Sequence, residues 1–348
     1  MVVPLGVGTR RAFVGSAAAL GLAALERPQR LSAADAKYTI RIPVNPDIYG
    51  YLPFMYALDK GYYADEGLNV VPNRFTSSSL TQLPMLVNGQ LDVGQGVPGP
   101  ALYNQITEGW DIKAISSLTV AHAGWHDELW VMVRKDLWDS GAVRKLSDLR
   151  GRKIDAATPG APINLLVNMM LVKAGLTRSD VIYTERLRNP ADMITGLRNQ
   201  AVDLCTTIEP TATYMVEGGY AVRFVSTQDV SPNMQTGFVL ASAKFLAQNA
   251  APVTAFFRAS IRAMDEILKS GPHGFSPDVQ KTLAAWQQRP LGEMANLQPP
   301  YFELGAVRTD SIEVPEDFWL SQGLLKNKVP AATMIDNSLI AAARKKHQ

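Results

Sequence analysis

Ser77-Ser78-Ser79 stands just ahead of a helical stretch, so its hydroxyls and backbone N–H groups can gather at a helix N-terminus, a ready anion site. A single serine would serve as a cap, which makes the run of three a candidate ligand loop. Thr158-Pro159-Gly160-Ala161 offers the same chemistry ahead of another helix, with Gly160 permitting close backbone approach. Asn45 and Tyr49 lie in a turn-rich run, Asn45-Pro46-Asp47-Ile48-Tyr49-Gly50-Tyr51, and supply an amide and an aromatic wall. Gln95 and Gly96 occupy a loop of small residues. Glu209 either accepts from a ligand amine or hydroxyl, or shapes its loop together with Pro210. Trp125 is a stacking ring or an ordinary half-buried aromatic, and His122 is a weaker contact beside it. Few lysines or arginines fall in these segments, Arg74 being the nearest to the serines. An anion would then be held by helix ends and N–H groups, and a neutral ligand stays open.

Other chemistries fare worse. His122 and His126 have i,i+4 spacing, but Ala123-Gly124 between them argues for a loop, so no metal is expected. Gly94-Gln95-Gly96-Val97-Pro98-Gly99 matches the dinucleotide fingerprint letter for letter. Pro98 and Pro100 disturb the turn that a pyrophosphate needs, and the first strand is elsewhere, so it reads as a ligand or packing loop and no cofactor is expected. The one cysteine, Cys205, sits in an apolar strand, where it reads as a small buried hydrophobe.

These residues must be held by strands and helices, and a repeat shows how. Leu86-Val87-Asn88-Gly89-Gln90-Leu91-Asp92-Val93 is echoed by Leu197-Arg198-Asn199-Gln200-Ala201-Val202-Asp203-Leu204. Each copy closes a helix, turns, and enters an apolar strand through an Asp. A helix–turn–strand unit used twice predicts two similarly built α/β lobes with sheets mixed but mostly parallel. Ligands in such sheets bind outside the carboxyl ends of the strands. Leu52 to Lys60 reads as a helix capped by Gly61, and Asn189-Pro190-Ala191-Asp192 as a helix start. Leu129 to Arg134 and Thr236 to Ala241 read as crossovers between lobes, and one last helix is expected over Ala331 to Lys346.

The chain has 348 residues, enough for two domains, and a formal charge of +2. Residues 1–36 read as an export signal: Arg10-Arg11 before x-Phe-Val, a mildly apolar run to Leu25, and Ala34-Asp35-Ala36 for cleavage. The paired arginines resemble the twin-arginine type. That segment holds four basic and two acidic residues, so the remainder is formally neutral. Nothing in it asks for nucleic acid or an anionic membrane surface. No later stretch is apolar enough to span a bilayer, and a monomer in the periplasm is expected.

Five segments in order carry a family resemblance: Gly61 to Val70, Leu86 to Gly96, Leu129 to Asp136, Leu146 to Ile154, and the second repeat through Glu209-Pro210. With them the chain resembles the substrate-binding proteins of ATP-driven (ABC) importers in the nitrate/sulfonate/taurine, thiamine-pyrimidine-synthase-like class. The resemblance implies the two-lobed, hinge-linked type II periplasmic binding fold, with lobe 1 over 37–125 and 240–348 and lobe 2 over 126–239. It implies a small ligand, a permease and an ATPase as partners, and ligand loops at the positions named above. Two enzymes look related. The thiamine-pyrimidine synthases carry a cysteine-rich motif that is missing here, and the aryl-sulfinate desulfinases need a cysteine where this chain has Asn45-Pro46. A sensor subunit would use the same closure. The ligand class expected is a sulfonate or aromatic carboxylate.

Overall fold

The structure is a computed structural model that describes residues 36, 38–75, 81–157, 159–187 and 189–345. The expected export signal, Ser77 to Ser79 and Thr158 lie outside the described residues. Among the described residues there are eleven strands: β1 Tyr38–Val44, β2 Leu68–Arg74, β3 Gly94–Gly96, β4 Ile112–Val120, β5 Leu129–Arg134, β6 Lys153–Asp155, β7 Ile182–Thr184, β8 Leu204–Ile208, β9 Ala221–Ser226, β10 Gln235–Ser242 and β11 Tyr301–Phe302. Helices fill the connections, as the alternating pattern predicts.

Local chemistry decides many boundaries. The helix Leu52–Lys60 stops at Gly61, whose φ of 73° is left-handed and costs a glycine little. The Asn189 side chain accepts the Asp192 N–H at 2.9 Å and caps the helix Pro190–Arg198. The last expected helix is broken in two, Ala331–Met334 and Ser338–Lys345. Ile335 between them is extended and bridges to Ala114 of β4, so a sheet contact overrides helix propensity there.

The strands form three hydrogen-bonded sheets, of five, four and two strands, and the two smaller ones together repeat the order of the largest. In the largest, β7-β6-β8-β5-β9 are neighbours, with β6 parallel to β7 and β8, and β5 antiparallel to both β8 and β9. In the four-stranded one, β10 is antiparallel to both β3 and β4, with β11 beyond β4. The parallel pair β1-β2 joins this side through Arg41, whose carbonyl accepts the Asp92 and Val93 N–H groups. Reading β2-β1-β3-β10-β4 against β7-β6-β8-β5-β9 matches strand for strand. β5, β10 and the short β11 run against their sheets; the segments expected as crossovers, Leu129 to Arg134 and Thr236 to Ala241, are the strands β5 and β10, and the chain passes between the sheets just ahead of them, over 121–128 and 227–234. β10 belongs whole to the first sheet, so the chain re-enters it at Gln235, ahead of residue 240.

The repeated aspartates explain the sequence echo. Asp92 accepts the Arg41 N–H at 2.7 Å while donating its own N–H to the Arg41 carbonyl. Asp203 does the same with Lys153, accepting at 3.0 Å and donating at 2.8 Å. Each clamp sets one strand beside its parallel neighbour, with a nearby guanidinium completing it: Arg41 on Asp92 and Arg134 on Asp203.

The cores follow strand alternation. Val131 and Val133 of β5 face Leu166, Val167 and Met170, while Met132 and Cys205 face Met193, Leu197 and Met215. Under the first sheet, Ile40, Ile42 and Val44 pack with Phe256 and Phe257 of the long helix Ala250–Leu268. Each such side chain contributes about 1.5–3 kcal/mol on burial.

Candidate functional site

Four helices follow the carboxyl ends of strands in the two halves, at Leu52, Pro100, Pro162 and Thr211. Those at Pro100 and Pro162 have no side-chain cap among the described residues, whereas Leu52 continues the turn Tyr49–Tyr51 with its N–H on the Tyr49 carbonyl and the Glu209 carboxylate takes the Thr213 N–H of the fourth. The residues before them are Tyr51, Gly99, Ala161 and Pro210, which offer backbone but no capping oxygen. Helices elsewhere carry such caps, Ser242 and Ser276 for example, although the helix Ala250–Leu268 also lacks one. A missing cap therefore marks available N–H groups, and position decides what they can meet.

The two sets of loops meet. A Cβ on Gly99 would lie 2.6 Å from the Gly160 carbonyl oxygen, and one on Gly160 would lie 3.1 Å from Pro100 Cδ. Gly160 also has a φ of 77°, so glycine is required there twice over. Ala161 takes the extended cap position of the helix Pro162–Lys173. Gly96 serves packing, because a Cβ there would collide with Leu240. The stretch Gly94 to Gly99, read as a ligand or packing loop, is strand over Gly94–Gly96 and fits its neighbours closely at Gly96 and Gly99.

Tyr49 is fully buried, with its ring edge-on to Phe275 at 5.5 Å, and its hydroxyl has no partner among the described residues. Burial pushes that phenol well above its ordinary range, with the charge of Glu209 adding to the effect. Gln95 is buried in β3. Its N–H donates to Gln82 Oε1 at 3.0 Å, the Gln82 amide donates to the Tyr51 hydroxyl at 2.6 Å, and Gln95 Oε1 is left unpaired among the described residues. Asn45 turns the loop after β1, accepting the Asp47 N–H at 3.1 Å on its side chain. His122 stacks on Tyr301 at 4.3 Å, and Trp125 meets the same ring edge-on at 5.4 Å. These two form an aromatic rim on the first crossover.

Glu209 is buried and its oxygens are engaged within its own half. Oε1 accepts from His126 at 2.7 Å and from Arg223 at 2.8 and 3.1 Å; Oε2 accepts the Thr213 N–H and hydroxyl at 3.1 and 2.9 Å. Burial pushes its carboxyl up, but the His126 hydrogen bond and the Arg223 charge outweigh this and hold it below the ordinary range. Of the two roles read for Glu209, shaping its loop is the one these bonds perform. Sequence reasoning missed Arg223 and Thr213; the signal was a lone arginine inside the apolar strand Ala221–Ser226. It also passed over Glu128, buried in the first crossover, whose carboxyl burial pushes up to about 7.

Among the described residues no group of His, Cys, Asp and Glu could hold a metal, and no helix is long and apolar enough to cross a membrane. Cys205 is buried, and burial raises its thiol far out of the reactive range.

No curated protein matches the chain by sequence. Its fold is shared with the periplasmic aliphatic sulphonate binding protein SsuA of Escherichia coli, at a TM-score of 0.71 and 18% identity over 86% of this chain and 92% of that one. The periplasmic nitrate-binding protein NrtA of Synechocystis PCC 6803 gives 0.67 and 14% over 88% of each chain. The desulfurization enzyme DSZB gives 0.60 and 15% over 90% of this chain and 100% of that one. The architecture is therefore the α/β, mixed-sheet fold of the periplasmic binding proteins. The family model described as NMT1/THI5 like matches residues 49–271, from Tyr49 of the first loop through the long helix, and the chain belongs to that family.

Proposed function

We propose that the chain is the extracytoplasmic solute-binding component of an ABC importer. It closes its two lobes, one carrying β1–β4 with β10 and β11 and the other β5–β9, on a small organic acid and hands the acid to a membrane permease. The observation that carries this reading is the meeting of two uncapped helix starts, at Pro100 and Pro162, across the Gly99–Gly160 contact, in a chain that also buries Tyr49 Oη and Gln95 Oε1 without partners among the described residues. Helix N–H groups favour an anion, and buried polar atoms without partners are costly until a ligand supplies them. Periplasmic relatives of this fold whose names specify aliphatic sulphonate or nitrate support an anionic ligand. A sulfonate or aromatic carboxylate would place its oxyanion at the helix ends and its organic part against Tyr49, Trp125 and Gly160-Ala161. The fold is also shared with an enzyme, but thiolate catalysis on this chain would have to use Cys205, which is buried within β8.

The test is a thermal-shift series on the purified protein with ethanesulfonate, benzenesulfonate, benzoate and nitrate. A ligand at a hundred times its dissociation constant adds about 2.7 kcal/mol and raises the midpoint by roughly 2–4 °C. Gly160→Val should abolish the shift by holding the loops apart, and Tyr49→Phe should weaken it. Absence of a shift with all four acids, or an unchanged shift in Gly160→Val, would overturn the reading.

A further inference from the structure

Glu128 touches both candidate loops. Its carbonyl oxygen accepts the Glu209 N–H at 2.9 Å, and its buried carboxyl lies beside the Gly50 N–H and the Thr119 hydroxyl, both of which favour its ionised form. Tyr49 and Tyr51 face it from the first loop, Asp127 from the same crossover, and Glu209 from the end of β8. His126 and Arg223 stand behind Glu209 and are engaged with it. Asp127 is tied to the second crossover, accepting the Gln228 N–H at 2.7 Å. The joint between the halves thus gathers three buried carboxyls, and among the described residues cations pair directly only with Glu209.

An anion entering beside this group adds a further negative charge to a site with little water. The least costly response is to take up a proton on the carboxyl that has no cation. We propose that Glu128 is a specificity-determining residue of the cleft, which admits an anionic ligand together with one proton. The proposal rests on the anion-binding reading given above. Burial already lifts the Glu128 carboxyl to about 7, so the proton is exchanged near neutrality, where it alters affinity.

Calorimetric titration with benzenesulfonate, ethanesulfonate and benzoate, in buffers of different ionisation enthalpy, reads the proton directly. The expected result is uptake of about half a proton per ligand at about pH 7, with affinity falling about tenfold from about pH 6 to 8. Glu128→Gln should bind with no uptake and a flat pH profile. Thr119→Val, which removes a hydrogen bond favouring the ionised form, should move the midpoint of the profile upward; it keeps the test valid if Glu128→Gln fails to fold. Binding by the wild type without uptake, or uptake that persists in Glu128→Gln, overturns this proposal alone. No binding of any of the three acids overturns the anion reading and the proposal with it.

Discussion

The two halves of this protein share a strand order and an aspartate clamp, yet they hold their cleft-facing loops by different means. In the first half the loops are fixed by uncharged bonds, Tyr51 to Gln82 to Gln95, with Tyr49 buried beside them. In the second half the loop after β8 is pinned by an ionic network, with Glu209 engaged by His126, Arg223 and Thr213. The difference teaches where each kind of information sits. Sheets built alike provide two platforms, and the loops at the strand ends carry the chemistry that distinguishes them. The ionic loop satisfies itself, whereas the neutral loop leaves Tyr49 Oη and Gln95 Oε1 unpaired among the described residues. The second half also buries hydroxyls without partners among the described residues, on Thr206, Thr207, Tyr214 and Thr227, so polar groups remain for a ligand on both sides.

Removing one carboxylate from the second half is the strongest challenge to this contrast. Glu209→Ala strands Arg223 and His126 around a hole and should cost about 4 kcal/mol in urea unfolding. A loss below about 1 kcal/mol would mean that the network does not pin the loop. Next comes the joint between the halves. The folded chain holds the Glu128 proton to about pH 7, while an unfolded glutamate releases it near the ordinary value of 4.5. Between those values the folded state binds more protons, so stability falls as pH rises through the window and levels off above about 7. The Glu128 contribution to that fall is about 3 kcal/mol. Glu128→Gln should remove it, which pH-dependent thermal unfolding would check.

Gln82→Ala, the uncharged counterpart of Glu209→Ala, leaves the Gln95 N–H and the Tyr51 hydroxyl without their partner. It should cost about 2 kcal/mol by urea unfolding, less than the ionic network. The smallest effect sharpens the one likeness between the halves. Asp92 takes three bonds from Arg41 and its side chain is 5% exposed, whereas Asp203 takes one backbone N–H, has Arg134 at 3.4 Å and is 17% exposed. Asp92→Ala should therefore destabilise by about 1 kcal/mol more than Asp203→Ala. Equal losses would mean that only the backbone clamp counts.

Features set by nearby residues were legible in the sequence. The Gly61 stop, the Asn189 cap and the turn that leads each repeated Asp into its strand depend on a few positions in a row. The repeat also foretold two similar sheets. What could not be read was pairing over distance. Arg223 meets Glu209, and Asp127 of one crossover meets Gln228 of the other, only because the sheets bring them together. The break at Ile335 has the same origin, a bridge to Ala114 far earlier in the chain. Of the thirteen candidate contact residues, Tyr49 and Gln95 present unpaired polar atoms, Glu209 is consumed locally and Gly96 makes room for Leu240.

The position of β10 sets a timetable for manufacture. It lies between β3 and β4, yet it is encoded after the whole second sheet. Until Gln235–Ser242 is made, β3 and β4 lack the strand that pairs with both of them, and each leaves an edge bare. Such edges pair with whatever arrives, including a neighbouring chain. Any nascent fragment ending before Gln235 is committed to waiting or to aggregating, and Gln235–Ser242 is the segment whose arrival ends that exposure.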